Sequence, residues 1–211
     1  MELTRYEHAC VVLERDGRRL VIDPGGFTRP LGDLGGVVAV VVTHEHPDHW
    51  TDAQLAGLRD ANPGVRILGP DGVALAVTGQ PVERVRAGDV VEIEGFRLEF
   101  FGQKHAVIHE SIPVVDNVGV LVDDTVYYAG DSYTLPHRPV EVLAAPAGAP
   151  WLKASEAMDY VLAIAPRRAF AVHDRTLSDV GLRMHRDRLA WATAQGGGTW
   201  LEVEPGDAIT V

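Results

Sequence analysis

Apolar runs along the chain are short, are separated by turn-forming clusters, and fall into two similar sets. In the first set, residues 10–13 and 20–22 are apolar and flank Asp16-Gly17, a pattern that predicts an antiparallel hairpin. Residues 36–42 are almost wholly apolar, as expected of a parallel strand buried on both faces. Residues 51–59 have helical spacing, with Thr51 as N-cap, Leu55 and Leu58 on one face, and Asn62-Pro63-Gly64 as the stop. Residues 65–68 predict a short strand and 71–77 a short helix. Three further strands follow at 83–85, 90–93 and 96–101, while the Gly- and Pro-containing stretch 27–35 predicts a loop.

The second set opens with a hairpin, 117–122 and 125–128, across Asp123-Asp124. Residues 136–150, rich in Ala and Pro, predict a long loop. A helix is expected at 155–165, with Ser155 as N-cap and Met158, Val161, Leu162 and Ala165 on one face. A buried strand at 169–172 and a last helix at 184–194 come next, the helix stopped by Gly196-Gly197-Gly198. Strands at 199–203 and 208–211 are expected to close the second sheet. The sets echo one another. A strand-turn-strand unit ends at Ile22-Asp23 in one and at Gly130-Asp131 in the other, and Gly88-Asp89 and Gly206-Asp207 each precede an apolar strand. This fits two similar βα halves whose sheets pack face to face, with helices outside.

Composition narrows the function classes. The chain has 211 residues, 46% of them hydrophobic, which suits one domain spanning 1–211 with a sizeable core. Its formal net charge of -11 argues against nucleic acid or an anionic membrane as the main partner, leaving a small-molecule substrate. Cys10 is the sole cysteine, so no intrachain disulfide forms, and a reducing cytoplasm is the simple expectation. Within Ala9-Cys10-Val11-Val12-Leu13 it reads as a packed strand residue. The first seven residues are too polar for a signal peptide, and no apolar run is long enough to span a bilayer.

The chemistry concentrates after the strand at 36–42. Thr43-His44-Glu45-His46-Pro47-Asp48-His49 places three imidazoles and the Asp48 carboxylate at the end of one strand, where a tight loop turns them outward together. His44, His46 and His49 offer neutral nitrogen ligands and Asp48 a hard oxygen. That mixture suits zinc, manganese or iron better than calcium or magnesium. Scattered surface histidines would not be expected to share one loop straight after a buried strand.

The pattern His-x-His-x-Asp-His resembles the signature of the metallo-β-lactamase superfamily. His8-Ala9 before the first hairpin and Ile22-Asp23-Pro24 after it also look like the start of hydrolases of that fold. The resemblance covers nearly the whole chain and implies a four-layer αββα sandwich of two mixed β-sheets. It assigns the third histidine to His105, just beyond the strand at 96–101, with His109 as competitor. It assigns the bridging carboxylate to Asp131 of Gly130-Asp131, and the last histidine to His173. By that pattern His44, His46 and His105 hold one metal, Asp48, His49 and His173 hold a second, and Asp131 lies between them. Asp23 is expected to orient a ligating histidine rather than to bind metal. His8 is either a hydrogen-bonded histidine at a strand start or a ligand, and His137 and His185 read as surface residues.

The implied function is a metal-dependent hydrolase, dinuclear, with two zinc ions (manganese or iron as alternatives). A hydroxide shared by the metals would attack a small ester, lactone, amide or phosphodiester, with Asp48 orienting it. The compact length and the Gly130-Asp131-Ser132 turn look closest to the ascorbate-phosphate lactonase group and related small hydrolases. Lys104, Tyr133, Trp151 and Lys153 flank the site loops and are candidates for substrate contact. Two other functions remain in view. One is a mononuclear iron dioxygenase acting on a thiol or persulfide; the other is a non-catalytic module with a structural metal.

Overall fold

The computed structural model describes residues 1–211 as two seven-stranded sheets, each backed by two helices. The first sheet comprises β1 (Glu2–Arg5), β2 (Val11–Arg15), β3 (Arg18–Ile22), β4 (Val37–Val41), β5 (Arg66–Gly69) and β6 (Glu83–Arg84). Helix α1 (Asp52–Ala61) joins β4 to β5, and α2 (Asp71–Ala76) joins β5 to β6. The second sheet is built from β7 (Val90–Ile93), β8 (Phe96–Phe101), β9 (Gly119–Val122), β10 (Val126–Tyr128), β11 (Val142–Pro146), β12 (Arg168–Val172) and β13 (Thr199–Trp200). Helix α3 (Ala154–Ile164) joins β11 to β12, and α4 (Asp179–Gln195) joins β12 to β13. The last strand, β14 (Ala208–Thr210), crosses back to pair with β1.

The layers follow from strand patterning. In β8, Phe96, Leu98 and Phe100 are buried and alternate with half-buried Arg97, Glu99 and Phe101, so one face enters the core between the sheets. Leu3, Leu13, Leu20, Ile22 and Val41 of the first sheet meet Leu98, Val120, Tyr128 and Phe170 of the second there. The outer face of the first sheet packs Val21, Val40 and Val42 against Leu55 and Leu58 of α1. That of the second packs Leu143, Ala145 and Ala171 against Tyr160 and Val161 of α3 and Leu189 of α4. The architecture is the αββα sandwich of the metallo-β-lactamase fold. No helix is long and apolar enough to cross a membrane.

The two halves repeat strand for strand. The sheet orders β14-β1-β2-β3-β4-β5-β6 and β7-β8-β9-β10-β11-β12-β13 superpose in pairing type, antiparallel for the first three pairs and parallel for the last three. Even the Gly-Asp turns match. Asp89 Oδ2 accepts the Arg86 N–H at 2.9 Å, and Asp207 Oδ2 accepts the Glu204 N–H at 2.9 Å. The β3 end at Asp23 and the β10 end before Asp131 are therefore equivalent positions of the two halves.

Several expectations are corrected. Residues 136–150 are not simply a loop, because Val142–Pro146 forms β11, fully buried and parallel to both β10 and β12. Alanines rank low as strand formers, but a central strand is decided by burial on both faces, and small side chains let α3 lie close. The strand at the C-terminus belongs to the first sheet, not the second, and β1 was not foreseen at all. Helix α3 starts one residue earlier, with Lys153 as an N-cap that makes no side-chain bond. It buries Ala157, Tyr160 and Val161, whereas Ala165 is a left-handed C-cap. Helix α4 starts at Asp179, where Ser178 Oγ accepts the Gly181 N–H, five residues before the expected start.

Candidate metal centre

Strands of both sheets deliver their C-terminal ends to one rim. His8 follows β1, Asp23 follows β3, the loop from Thr43 to His49 follows β4, His105 follows β8, Asp131 follows β10 and His173 follows β12. All seven expected ligands converge there. His44, His46 and His105 form one group of metal-competent side chains, and Asp48, His49 and His173 form another together with His8. Asp131 lies between the groups. Its Oδ1 is 3.3 Å from His49 Nε2, and its Oδ2 is 3.1 Å from His173 Nε2 and 3.4 Å from His105 Nε2. His109 stays outside, exposed and bonded to Ser111.

The tautomers are set by acceptors on the far side of each ring. His105 Nδ1 faces the Ala106 carbonyl at 2.5 Å, His173 Nδ1 the Gly148 carbonyl at 2.6 Å, and His49 Nδ1 the Asp23 carboxylate at 2.7 Å. A carbonyl or carboxylate only accepts, so each Nδ1 carries the proton, and in the neutral ring Nε2 is left with a lone pair. His44 reaches the same state through Thr43. The Thr43 hydroxyl donates to Asp23 Oδ2 at 2.7 Å and thus accepts from His44 Nδ1 at 3.0 Å. Asp23 Oδ1 also takes the Thr43 N–H, so this one carboxylate orients His49 directly and His44 through its neighbour. That is the orienting role expected for Asp23.

Buried polar atoms without partners test whether a metal fits. His49 Nε2, His105 Nε2, His173 Nε2 and Asp131 Oδ1 are buried and make no hydrogen bond, yet they face one another. Leaving buried polar atoms unpaired costs roughly 1–3 kcal/mol each, so a cluster of them calls for a shared partner. A divalent cation satisfies nitrogen lone pairs and a carboxylate oxygen at once, and the donor set fits it.

The electrostatics agree. Burial, and then neighbouring imidazoles, push His44 and His46 below the usual histidine value. Burial acts the same way on His49 and His173, but Asp131 overrides it in both, helped by Asp23 at His49 and by Asp48 at His173. His49 is raised well above the ordinary value, and His173 to about 9. Burial opposes ionisation of Asp131 and Asp48 too, and the facing histidines hold both carboxyls well below their usual range. The centre is thus arranged to hold positive charge.

Asn117, which the sequence did not single out, fixes the turn that carries Asp131. Asn117 accepts the Asp131 N–H on Oδ1 at 3.0 Å and donates from Nδ2 to the Ala129 carbonyl, locking the turn. At Gly130 (φ +62°) a Cβ would lie 2.4 Å from Asn117 Oδ1, so glycine is required. Trp151, expected as a substrate contact, is buried and donates its indole N–H to Asp131 Oδ2 at 2.8 Å. His8 is buried and hydrogen-bonded to Asp48. His185 is half-buried, with Nδ1 against the Ala147 carbonyl, which corrects its reading as a surface residue. His137 is exposed. A cavity of about 690 Å³ opens beside the centre, and Lys104, Tyr133, Trp151 and Lys153 all line it.

Residues 2–173 match the family model of the β-lactamase superfamily domain. The chain belongs to the metallo-β-lactamase superfamily. It is 36% identical to the Mycobacterium tuberculosis protein Rv0786c over 92% of this chain and 93% of that one. It is 30% identical to a UPF0173 metal-dependent hydrolase of Metallosphaera sedula over 59% of this chain and 58% of the relative. Among solved structures it resembles Igni18, a metallo hydrolase of Ignicoccus hospitalis, at a TM-score of 0.75 and 20% identity over 99% of this chain and 97% of that one. Membership places this metallo-β-lactamase-fold chain in the class of metal-dependent hydrolases.

Proposed function

We propose that the chain is a dinuclear hydrolase with two zinc ions that cleaves a small ester, lactone, amide or phosphodiester. The reading rests on one observation: two triads, His44/His46/His105 and Asp48/His49/His173, flank the Asp131 carboxylate, and four of the five imidazoles have Nδ1 bonded away from the centre. Two cations held there would lower the pKa of a shared water to roughly 7 and so supply the nucleophile.

The chain's own groups do the rest. Asp48 is tied through Oδ2 to His8, which leaves Oδ1 to accept a hydrogen bond from the attacking water and to aim it. Trp151 holds Asp131 from the cavity side and excludes solvent from that face. The substrate enters through the cavity that Lys104, Tyr133 and Lys153 line. The acidic surface disfavours nucleic acid and anionic membranes as partners, and a single buried thiol suits the cytoplasm.

The test is elemental analysis of untagged protein purified without added metal, followed by an ester, lactone and phosphodiester screen with His46→Ala as control. About two zinc per chain, and turnover lost in a variant that still folds, are expected. A single iron with oxygen uptake, or equal turnover by His46→Ala, would overturn the reading.

A further inference from the structure

The chain contains nineteen basic side chains, and only Lys104 and Lys153 are lysines. Both line the cavity of about 690 Å³ that opens beside the metal centre, and Lys104 with its partner Asp116 also lines a second one of about 280 Å³. They come from two loops of the same half of the fold. Lys104 immediately precedes His105 after β8, and Lys153 caps α3 after β11. Each is positioned by a carboxylate: Lys104 Nζ lies 2.7 Å from Asp116 Oδ1, and Lys153 Nζ lies 3.2 Å from Glu156 Oε1.

Those carboxylates have structural work of their own. Asp116 Oδ2 accepts the Gly72 N–H at 3.1 Å, and Glu156 sits in the first turn of α3, where the helix dipole favours a negative charge. The ammonium groups stay available. An ammonium has three donors, each pair uses one of them, and the two side chains are 61% and 76% exposed. Between them Val107, Ile108 and Leu152 stand beside Trp151, and Ser132, Thr134 and Glu156 make the polar part of the wall. Tyr133 lines the same cavity, with its ring packed edge-on against Trp151. A chain of net charge -11 that sets its only two lysines, each with donors to spare, at the mouth of its site is arranged for a negative ligand.

We propose that the substrate is an anion, a carboxylate or a phosphate on a short apolar body. Lys104 and Lys153 meet the charge, Val107, Leu152 and Trp151 cover the body, and the scissile bond points to the metal centre. This rests on the hydrolase reading of the same site and adds the substrate class to it.

The test is titration calorimetry on the protein as purified, with phenylacetate, benzyl phosphate and neutral phenylacetamide as probes. At least one anion is expected to bind at least about tenfold more tightly than the amide. Lys104→Met and Lys153→Met should each weaken that anion by about tenfold and leave the amide unchanged, as expected for loss of a charge-assisted hydrogen bond. Lys→Arg variants should restore most of the affinity. Arg167→Met removes the same charge at the opposite end of β12, from a side chain 82% exposed, and should change nothing. Preference for phenylacetate identifies a carboxylate substrate, and preference for benzyl phosphate a phosphorylated one. Equal binding of anions and amide, or lysine variants indistinguishable from the parent, would overturn the proposal. An anion that binds the centre alone gives the second of these results, since the lysine variants leave every histidine in place. Calorimetry does not read turnover, so failure of the hydrolase reading shows separately, in metal content and the ester screen.

Discussion

His8 Nε2 lies 3.1 Å from Asp48 Oδ2, and the Nδ1 of the same ring accepts the Arg175 N–H at 3.2 Å. A backbone N–H only donates, so Nδ1 is the acceptor nitrogen and Nε2 carries the proton given to Asp48. His8 therefore orients a carboxylate and has no lone pair left for a metal, although it lies among the metal-competent groups. Its backbone takes the left-handed conformation, φ +62°, and its carbonyl receives the His173 N–H at 2.7 Å, so it also braces the last histidine. His8→Ala is expected to weaken metal binding about ten- to hundredfold at the Asp48/His49/His173 position and to spare the other position. His8→Gln, which keeps an N–H donor, should recover part of the loss. Chelator competition with two resolved affinities reads this out, and equal weakening of both positions would refute the assignment.

Asp23 carries three hydrogen bonds, from the Thr43 N–H, the Thr43 hydroxyl and His49 Nδ1, and its side chain is fully buried. Asp23→Ala removes the acceptor for all of them and leaves buried donors unpaired. The expected result is metal affinity lowered about ten- to hundredfold, together with a fall in stability of several kcal/mol. Asp23→Asn is nearly isosteric but can turn an NH₂ toward His49, and would then favour the opposite ring tautomer. It should keep most of the thermal stability and still lose metal, which metal titration and thermal unfolding separate.

The histidine loop was legible because ligand chemistry fixes residue type as well as spacing, and few structural duties ask for imidazoles at 44, 46 and 49. His105, Asp131 and His173 were legible only by resemblance, each being an isolated residue whose local pattern a turn or cap could also produce. Thr43 and Asn117 were missed because threonine and asparagine serve many turns, and nothing along the chain marks the residue 14 positions away whose N–H Asn117 accepts. Strand β11 was missed because Ala144, Ala145 and Pro146 look like loop composition until the flanking strands supply burial on both sides. The placement of β14 depends on pairing between residues 204 or more positions apart, Thr4 with Ala208 or Leu3 with Ile209, and no local signal reports it.

Gly25 is required by a close approach. A Cβ added there would sit 1.7 Å from the Asp48 carbonyl oxygen and 2.6 Å from the His49 N–H nitrogen. The clash is with backbone, so no side chain can swing away, and the loop carrying Asp48 and His49 must move. Gly25→Ala is expected to lower stability by about 1–3 kcal/mol, the range for overpacking, and to lose the metal that these two residues hold. Gly17→Ala makes a useful contrast. A Cβ there meets nothing within 4 Å, but its φ of +75° still imposes strain, so stability should fall while metal content stays unchanged. Metal loss in both variants would show that stability, not the approach at Gly25, governs occupancy.

In metal-free protein the proton on His173 stands where a cation would. Burial lowers its affinity for that proton, but Asp131 and Asp48 prevail and raise it from the ordinary 6.5 to about 9. A group whose folded pKa exceeds its unfolded value adds stability that is fully present below the unfolded pKa and lost as pH rises through the folded one. Metal-free protein should therefore become easier to unfold between pH about 6.5 and about 9. Metal-loaded protein should show little change over that interval, because a ligating His173 is already neutral and the cation takes over the attraction to both carboxylates. Thermal unfolding midpoints across the interval, with and without chelator, read the difference. His173→Ala should reduce the slope of the metal-free profile and leave the part that His49, also raised, contributes. A metal-free profile with no slope in the parent protein would mean that His173 is not held protonated between the two carboxylates.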